Sequence, residues 1–312
     1  MIKKIKTNAI ILCGLLLTVS CRENLPDFER TDFKLNDQQF EILTTFKLFD
    51  NYLIECDKFN NNFNTASEQL LYNPIRNEII EKAEAPFLFK TIELPYDPND
   101  LLKKEIELLK SGGLIDIAKS ALVKITESLS GANTKIIFLP ANPSLHDYYK
   151  KLGVCMNGIT IGSGKIIIQI DPTFDNWKET LPYVIAHEYH HSTWISRNWV
   201  SSDFSLLEYL IFEGRADMFA KGLYNDIETP WTKMINEEQE HFVWNEIQPE
   251  IHEKGHDRIN KVMFGSGDIP FGSGYTIGYN IVKSFKQNNP TFSDMQIMDM
   301  NPEKILEMSG YR

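Results

Sequence analysis

Residues 186–194 read Ala186-His187-Glu188-Tyr189-His190-His191-Ser192-Thr193-Trp194 and hold three of the chain's seven histidines. On a helix His187 and His191 share one face, about 40° apart around the axis. Two imidazoles at that spacing reach one tetrahedral zinc ion. Glu188 lies about 100° round from His187, beside a metal rather than on it. From there it can take a proton from metal-bound water. The His-Glu-x-x-His pattern needs those residue types in that order. His190 sits about 60° off His187 on the other side and competes as a ligand. Only the 187/191 register leaves Glu188 as a base, so His190 reads as a neighbour of the site or a surface residue. The competing reading is a polar helix that is merely rich in histidine.

What surrounds the stretch decides between them. Pro182 fits the first turn of its helix, with Thr180 as N-cap. Downstream, Ser205-Leu206-Leu207-Glu208 has the S-x-x-E form of a capping box and opens another helix. That helix carries Glu213, 22 residues after His191, among apolar neighbours. A carboxylate left there without a partner is costly, and a zinc ion offsets the cost. Glu213 completes a set of two histidines and one glutamate with one position left for water. Asp217, one turn on, can accept the free ring N–H of a ligand histidine, His187 before the others, and so fix its tautomer.

The pair of motifs, HEYHH and Glu213-Gly214-Arg215-Ala216-Asp217, resembles the gluzincin metallopeptidases, whose third zinc ligand is the glutamate of an E-x-x-x-D helix. More narrowly it resembles a bacterial family of predicted zinc-dependent proteases long labelled a domain of unknown function. The likeness runs from about Thr134 to Arg312. Arg215 stands where that family commonly has an apolar residue, a departure expected to alter the adjoining pocket or to pair with an acid. The resemblance implies an α+β fold, with a zincin (gluzincin-like) catalytic domain built on a small β-sheet and the HExxH helix. It implies one Zn2+ per chain on His187, His191 and Glu213, Glu188 as general base, and a peptide or protein as substrate. Tyr275, in Phe271-Gly272-Ser273-Gly274-Tyr275, lies in the family's usual place for a residue that stabilises the oxyanion, with Tyr279 one turn later. By the same analogy strand 166–170 is expected to present an edge for a peptide. Two other readings stand beside it: an envelope lipoprotein with a structural zinc site, and a zinc hydrolase of a non-peptide bond.

Organisation along the chain follows from composition and pattern. With 312 residues, 42% of them hydrophobic, the chain is globular. A net charge of −11 argues against nucleic acid as partner. Lys3, Lys4 and Lys6 precede the apolar run 9–19, too short to span a bilayer, and Ser20 precedes Cys21. This resembles a bacterial lipoprotein signal, although Thr18 stands where Leu is usual; the alternative is an ordinary secretory signal. The expectation is a signal peptide over 1–20, lipidation at Cys21, and a protein exported and lipid-anchored to the cell envelope, with the membrane as a partner. Cys56 and Cys155 then remain, expected as free buried thiols. Residues 21–36 read as a tether. Residues 37–133 read as a helical region, with Phe40, Leu43, Phe46, Leu48, Tyr52 and Ile54 at helical spacing. Residues 134–312 read as the catalytic domain, opening with a short strand at 135–139 and a hairpin turning at Ser163-Gly164.

Overall fold

The computed structural model describes residues 28–312, so the expected signal and Cys21 lie outside the described residues. Its sheet has five strands: β1 (Glu29–Leu35), β2 (Gln38–Thr44), β3 (Thr134–Pro140), β4 (Met156–Gly162) and β5 (Lys165–Ile170), in the order β1-β2-β3-β5-β4. The parallel ladders β2–β3 and β3–β5 form its centre, and antiparallel β1 and β4 form its edges. Interior strands bury both faces. Accordingly β5 reads Lys165-Ile166-Ile167-Ile168-Gln169-Ile170, apolar almost throughout.

Two expectations change here. Residues 29–44 are neither tether nor helix but a hairpin, turning at Asn36-Asp37 with Asn36 left-handed. The apolar positions of 40–54 do fit helical spacing. What overrides it over 38–44 is the ladder that pairs Phe40–Thr44 with Thr134–Phe138, more than ninety residues away. That ladder also crosses the expected boundary between 133 and 134, because the N-terminal region contributes two strands to the sheet of the catalytic region. Second, β5 is interior, and the open edge near the histidines belongs to β4.

The helices, in chain order, are α1 (Phe46–Glu55), α2 (Phe63–Ser67), α3 (Asn73–Ile79), α4 (Asp100–Ser111), α5 (Leu114–Ser128), α6 (His146–Leu152), α7 (Trp177–Asn198), α8 (Leu206–Leu223), α9 (Glu237–Ile247), α10 (His256–Phe264), α11 (Ser273–Asn288), α12 (Asp294–Asp299) and α13 (Pro302–Ser309). One face of the sheet, with Ile136, Phe138, Ile166 and Ile168, packs on α5 and α7. The other, with Leu43, Ile137, Leu139 and Ile167, packs on α1 to α4. A third core joins α8 to α9, α10, α11 and α13. The architecture is therefore mixed α+β, a small sheet between helical layers with a helical C-terminal lobe. Cys56 and Cys155 are buried and unpaired. No helix among the described residues is long and apolar enough to cross a membrane.

Helix α8 approaches α11 at two glycines. A Cβ on Gly214 would meet the Gly278 carbonyl oxygen at 2.1 Å, and one on Gly278 would meet the Leu210 oxygen at 2.2 Å. Backbone-to-backbone contact of this kind fixes the axial position of α8, and with it Glu213, the residue before Gly214.

Candidate metal centre

Helix α7 starts earlier than its proline suggested. Asn176 precedes its first residue, Pro182 lies inside, and Thr180 is not the cap but bonds back through Oγ1 to the Asn176 carbonyl at 2.9 Å. Helix α8 does begin with the full capping box of Ser205 and Glu208. The two helices pack antiparallel. Each offers a column of side chains at i, i+4 and i+8: Tyr183, His187 and His191 on α7, and Tyr209, Glu213 and Asp217 on α8.

Where the columns face each other, three donor atoms converge. The two Nε2 atoms of His187 and His191 are 2.9 Å apart, and each lies 3.5 Å from Oε2 of Glu213. These are the only three acidic, cysteine or histidine residues among the described ones grouped closely enough to hold a metal. The donor chemistry fits zinc. Tetrahedral ligands about 2.0–2.1 Å from an ion stand about 3.3 Å from one another. Asp217 Oδ1 accepts from His187 Nδ1 at 3.2 Å, so the Nε2 lone pair of His187 points inward at the carboxylate and the second ring. Electron-rich atoms converging in this way are stabilised by a cation.

Asp217 is itself fixed. Its Oδ1 also accepts from the Tyr183 hydroxyl at 3.0 Å and the Trp231 Nε1–H at 2.8 Å. Phe212 stacks on the His191 ring with centroids 3.9 Å apart. Burial alone would raise the Glu213 carboxyl, but positive charge at His191 and His187, the place a bound cation would take, outweighs it and holds it well below the usual range.

Glu188 stands beside this set, buried. Its Oε2 accepts from Thr160 Oγ1 at 2.7 Å, and the same hydroxyl reaches the Glu188 carbonyl at 2.9 Å. A Cβ on Gly158 would fall 2.5 Å from Glu188 Oε1, so the carboxylate lies directly on the bare backbone of β4. Burial raises the Glu188 carboxyl, with the two imidazoles and Thr160 only partly opposing it. A carboxylate raised in this way is suited to accepting a proton and giving it up.

His190 is not at the surface. It is buried, 5.6 Å from the Phe219 ring and facing away from the donor set, and burial holds it neutral. Arg215 is buried too and bonds the Met300 carbonyl rather than an acid. It thus alters the packing behind α8 and leaves the site alone. Tyr275, in the first turn of α11, lines the cleft over the donors. Burial, with the negative charge of Glu213, Asp217 and Glu188 nearby, raises its hydroxyl well above the ordinary range, so it stays a proton-bearing donor. Sequence reasoning missed Thr160, Gly158, Tyr209, Tyr183 and Trp231. Tyr183 and Tyr209 carried a usable signal, one turn before His187 and Glu213 respectively. Thr160, Gly158 and Trp231 carried none, since they reach the site from other elements.

The cleft in front of the site holds about 780 Å3 and is bordered by the β4 edge from Met156 to Thr160. On that edge the Ile161 carbonyl is taken by the Ala85 N–H at 2.9 Å. Asn157 and Ile159 turn their backbone groups toward β5, in step with the Asp171 N–H that bonds the Cys155 carbonyl at 2.8 Å, so the alternation of the strand leaves those of Met156, Gly158 and Thr160 on the open edge.

An α+β fold with a His, His, Glu donor set, a flanking carboxylate and an open cleft has the parts of a metal-dependent hydrolase. The chain belongs to the family described as "Predicted Zn-dependent protease (DUF2268)", which matches residues 114–307 and so contains every site residue above. It is also similar to the "Uncharacterized protein YjfC" of Bacillus subtilis (strain 168), at 28% identity over 218 residues, 63% of this chain and 71% of that protein. No solved structure matches.

Proposed function

We propose that the chain is a gluzincin-type zinc metallopeptidase that hydrolyses peptide bonds outside the cytoplasm, held at the cell envelope by lipid on Cys21. The observation that carries the catalytic part is Glu188, a buried carboxylate beside the three donors and not among them. A purely structural site needs no such group.

His187, His191 and Glu213 would hold the ion, and Asp217 would keep His187 in the tautomer that presents Nε2. Zinc bound there supplies a Lewis acid that polarises a carbonyl and lowers the pKa of water. Glu188 takes a proton from the attacking water as its oxygen bonds to the scissile carbon. It returns that proton to the amide nitrogen as the C–N bond breaks. Tyr275 donates its hydroxyl hydrogen to the negative oxygen formed in between. A peptide lying along β4 would bond the free backbone groups of Met156, Gly158 and Thr160 as an added strand, which sets the scissile bond over Glu188.

The test is metal analysis together with cleavage of mixed peptides. One zinc per chain and cleavage slowed about 10²–10⁴-fold in Glu188→Gln are expected, and a stable wild type that takes up no zinc sinks the proposal. For the anchor, palmitate labelling of the expressed chain that persists in Cys21→Ser would rule out lipidation there.

A further inference from the structure

Resting on the peptidase reading, we infer that the substrates are extended, unfolded polypeptide segments with large uncharged apolar or aromatic side chains flanking the scissile bond. The residues that select them are Phe87, Tyr148, Phe264 and Phe271.

The walls of the cleft carry this. Apart from the donor set and Glu188, its lining among the described residues contains no Asp, Glu, Lys or Arg. Away from the donor set a charged side chain meets no carboxylate, ammonium or guanidinium, His256 being the one titratable group there besides tyrosines, and it loses its hydration, which is strongly unfavourable. Rings, by contrast, crowd the mouth. Phe264 is 53% exposed, Phe87 48% and Tyr148 44%, and all three line the cleft. Large exposed apolar groups gathered at one opening mark a binding surface. They come from different parts of the chain: Phe87 from the segment after α3, Tyr148 from α6, and Phe264 from the end of α10.

The two walls also meet. Phe87 packs edge-on against His256 at 5.9 Å, and Tyr148 against Phe271 at 6.2 Å, with Phe264 a further 6.4 Å from Phe271. These pairs join the lip next to β4 to the helical lobe and roof the approach to the metal ligands. Ring contacts across the mouth favour a thin occupant over a folded domain. A single extended strand suits such an opening, and its side chains then lie between rings while its backbone reaches Met156 and Gly158 on the open edge of β4. Aromatic faces favour large flat or branched apolar groups.

The experiment uses the zinc-loaded full chain and two labelled ten-residue peptides that differ only in the four central residues, Phe-Leu-Tyr-Leu in one and Lys-Ser-Glu-Ser in the other. Binding is read by fluorescence anisotropy on Glu188→Gln and, as a second protein, on wild type stripped of zinc. The apolar peptide is expected to bind about tenfold or more tighter, the scale on which an apolar pocket discriminates. Tyr148→Ser and Phe264→Ser, both at exposed positions, are expected to shrink that ratio at unchanged zinc content. Equal binding of the two peptides, tighter binding of the charged one, or no binding of either overturns the inference. Hydrolysis of the same pair by wild type is scored separately. An apolar peptide that binds selectively yet is never cut upholds the selectivity of the cleft and overturns the peptidase reading. Cleavage without preference does the reverse.

Discussion

Thr160 holds Glu188 by both ends, its hydroxyl lying 2.7 Å from the carboxylate Oε2 and 2.9 Å from the backbone carbonyl. The residue expected to handle protons is thus tied to the strand expected to align substrate. Thr160→Val keeps the shape and removes the tie. It is expected to lower kcat about tenfold at unchanged zinc content, and to cost about 1.5–3 kcal/mol of stability, the worth of one hydrogen bond to a charged group. A kcat equal to that of wild type would show that Thr160 does not position the base.

Glu188→Gln is expected to retain zinc and to lose about 10²–10⁴ in kcat, the range for removal of a general base. His191→Ala and Glu213→Ala are expected to lose the metal instead. Zinc stoichiometry measured beside activity separates the two kinds of residue.

Asp217→Asn removes the negative charge that faces His187 Nδ1. Zinc affinity is expected to fall about 10–100-fold. Trp231→Phe, which removes one of three donors to Asp217 Oδ1, is expected to give a smaller fall in the same direction. A chelator-competition titration reads both, and unchanged affinity in Asp217→Asn would remove it from the site.

Gly214→Ala pushes a methyl group into the Gly278 carbonyl. A loss of about 1–3 kcal/mol is expected from overpacking, together with weaker zinc binding as α8 moves Glu213. Urea unfolding with and without zinc checks it; an alanine variant as stable as wild type would mean that the helices can part without cost.

Glu105 on α4 is fully buried with neither carboxylate oxygen hydrogen-bonded, and burial, with Asp171 nearby, pushes it up to about 9. A carboxyl raised above its unfolded value keeps its proton in the native state while the unfolded chain loses it. Its contribution to stability is complete below about 4.5 and is lost as pH rises toward 9, at up to about 1.4 kcal/mol per pH unit. Glu105→Gln removes this dependence. Urea midpoints of wild type and variant are expected to diverge between pH 5 and 8.5, with the variant gaining on wild type, and parallel curves would show that Glu105 does not titrate in that range.

Much of the metal centre was legible because it depends on helical spacing. His187 and His191 share a face by period alone, and so do Glu213 and Asp217, so two short motifs define two columns wherever the helices pack. The burial of Glu213 among apolar neighbours was legible too, and it implied a partner for the charge. The central strands β3 and β5 and the turn between β4 and β5 were readable from runs of Ile bounded by Gly and Pro.

Only the tertiary structure decided the rest. Residues 38–44 carry a pattern that suits a helix, and they become a strand because their backbone pairs with β3 across more than ninety residues. Local periodicity holds no information about such a partner. The same is true of Thr160 and Gly158, which matter through their contact with Glu188, and of Trp231, which arrives at Asp217 from a separate segment. His190 and His191 are neighbours in sequence, yet His191 faces Glu213 and His190 packs in the core. Their spacing predicts that they diverge, but only the packing of α7 against α8 determined which of them faces Glu213.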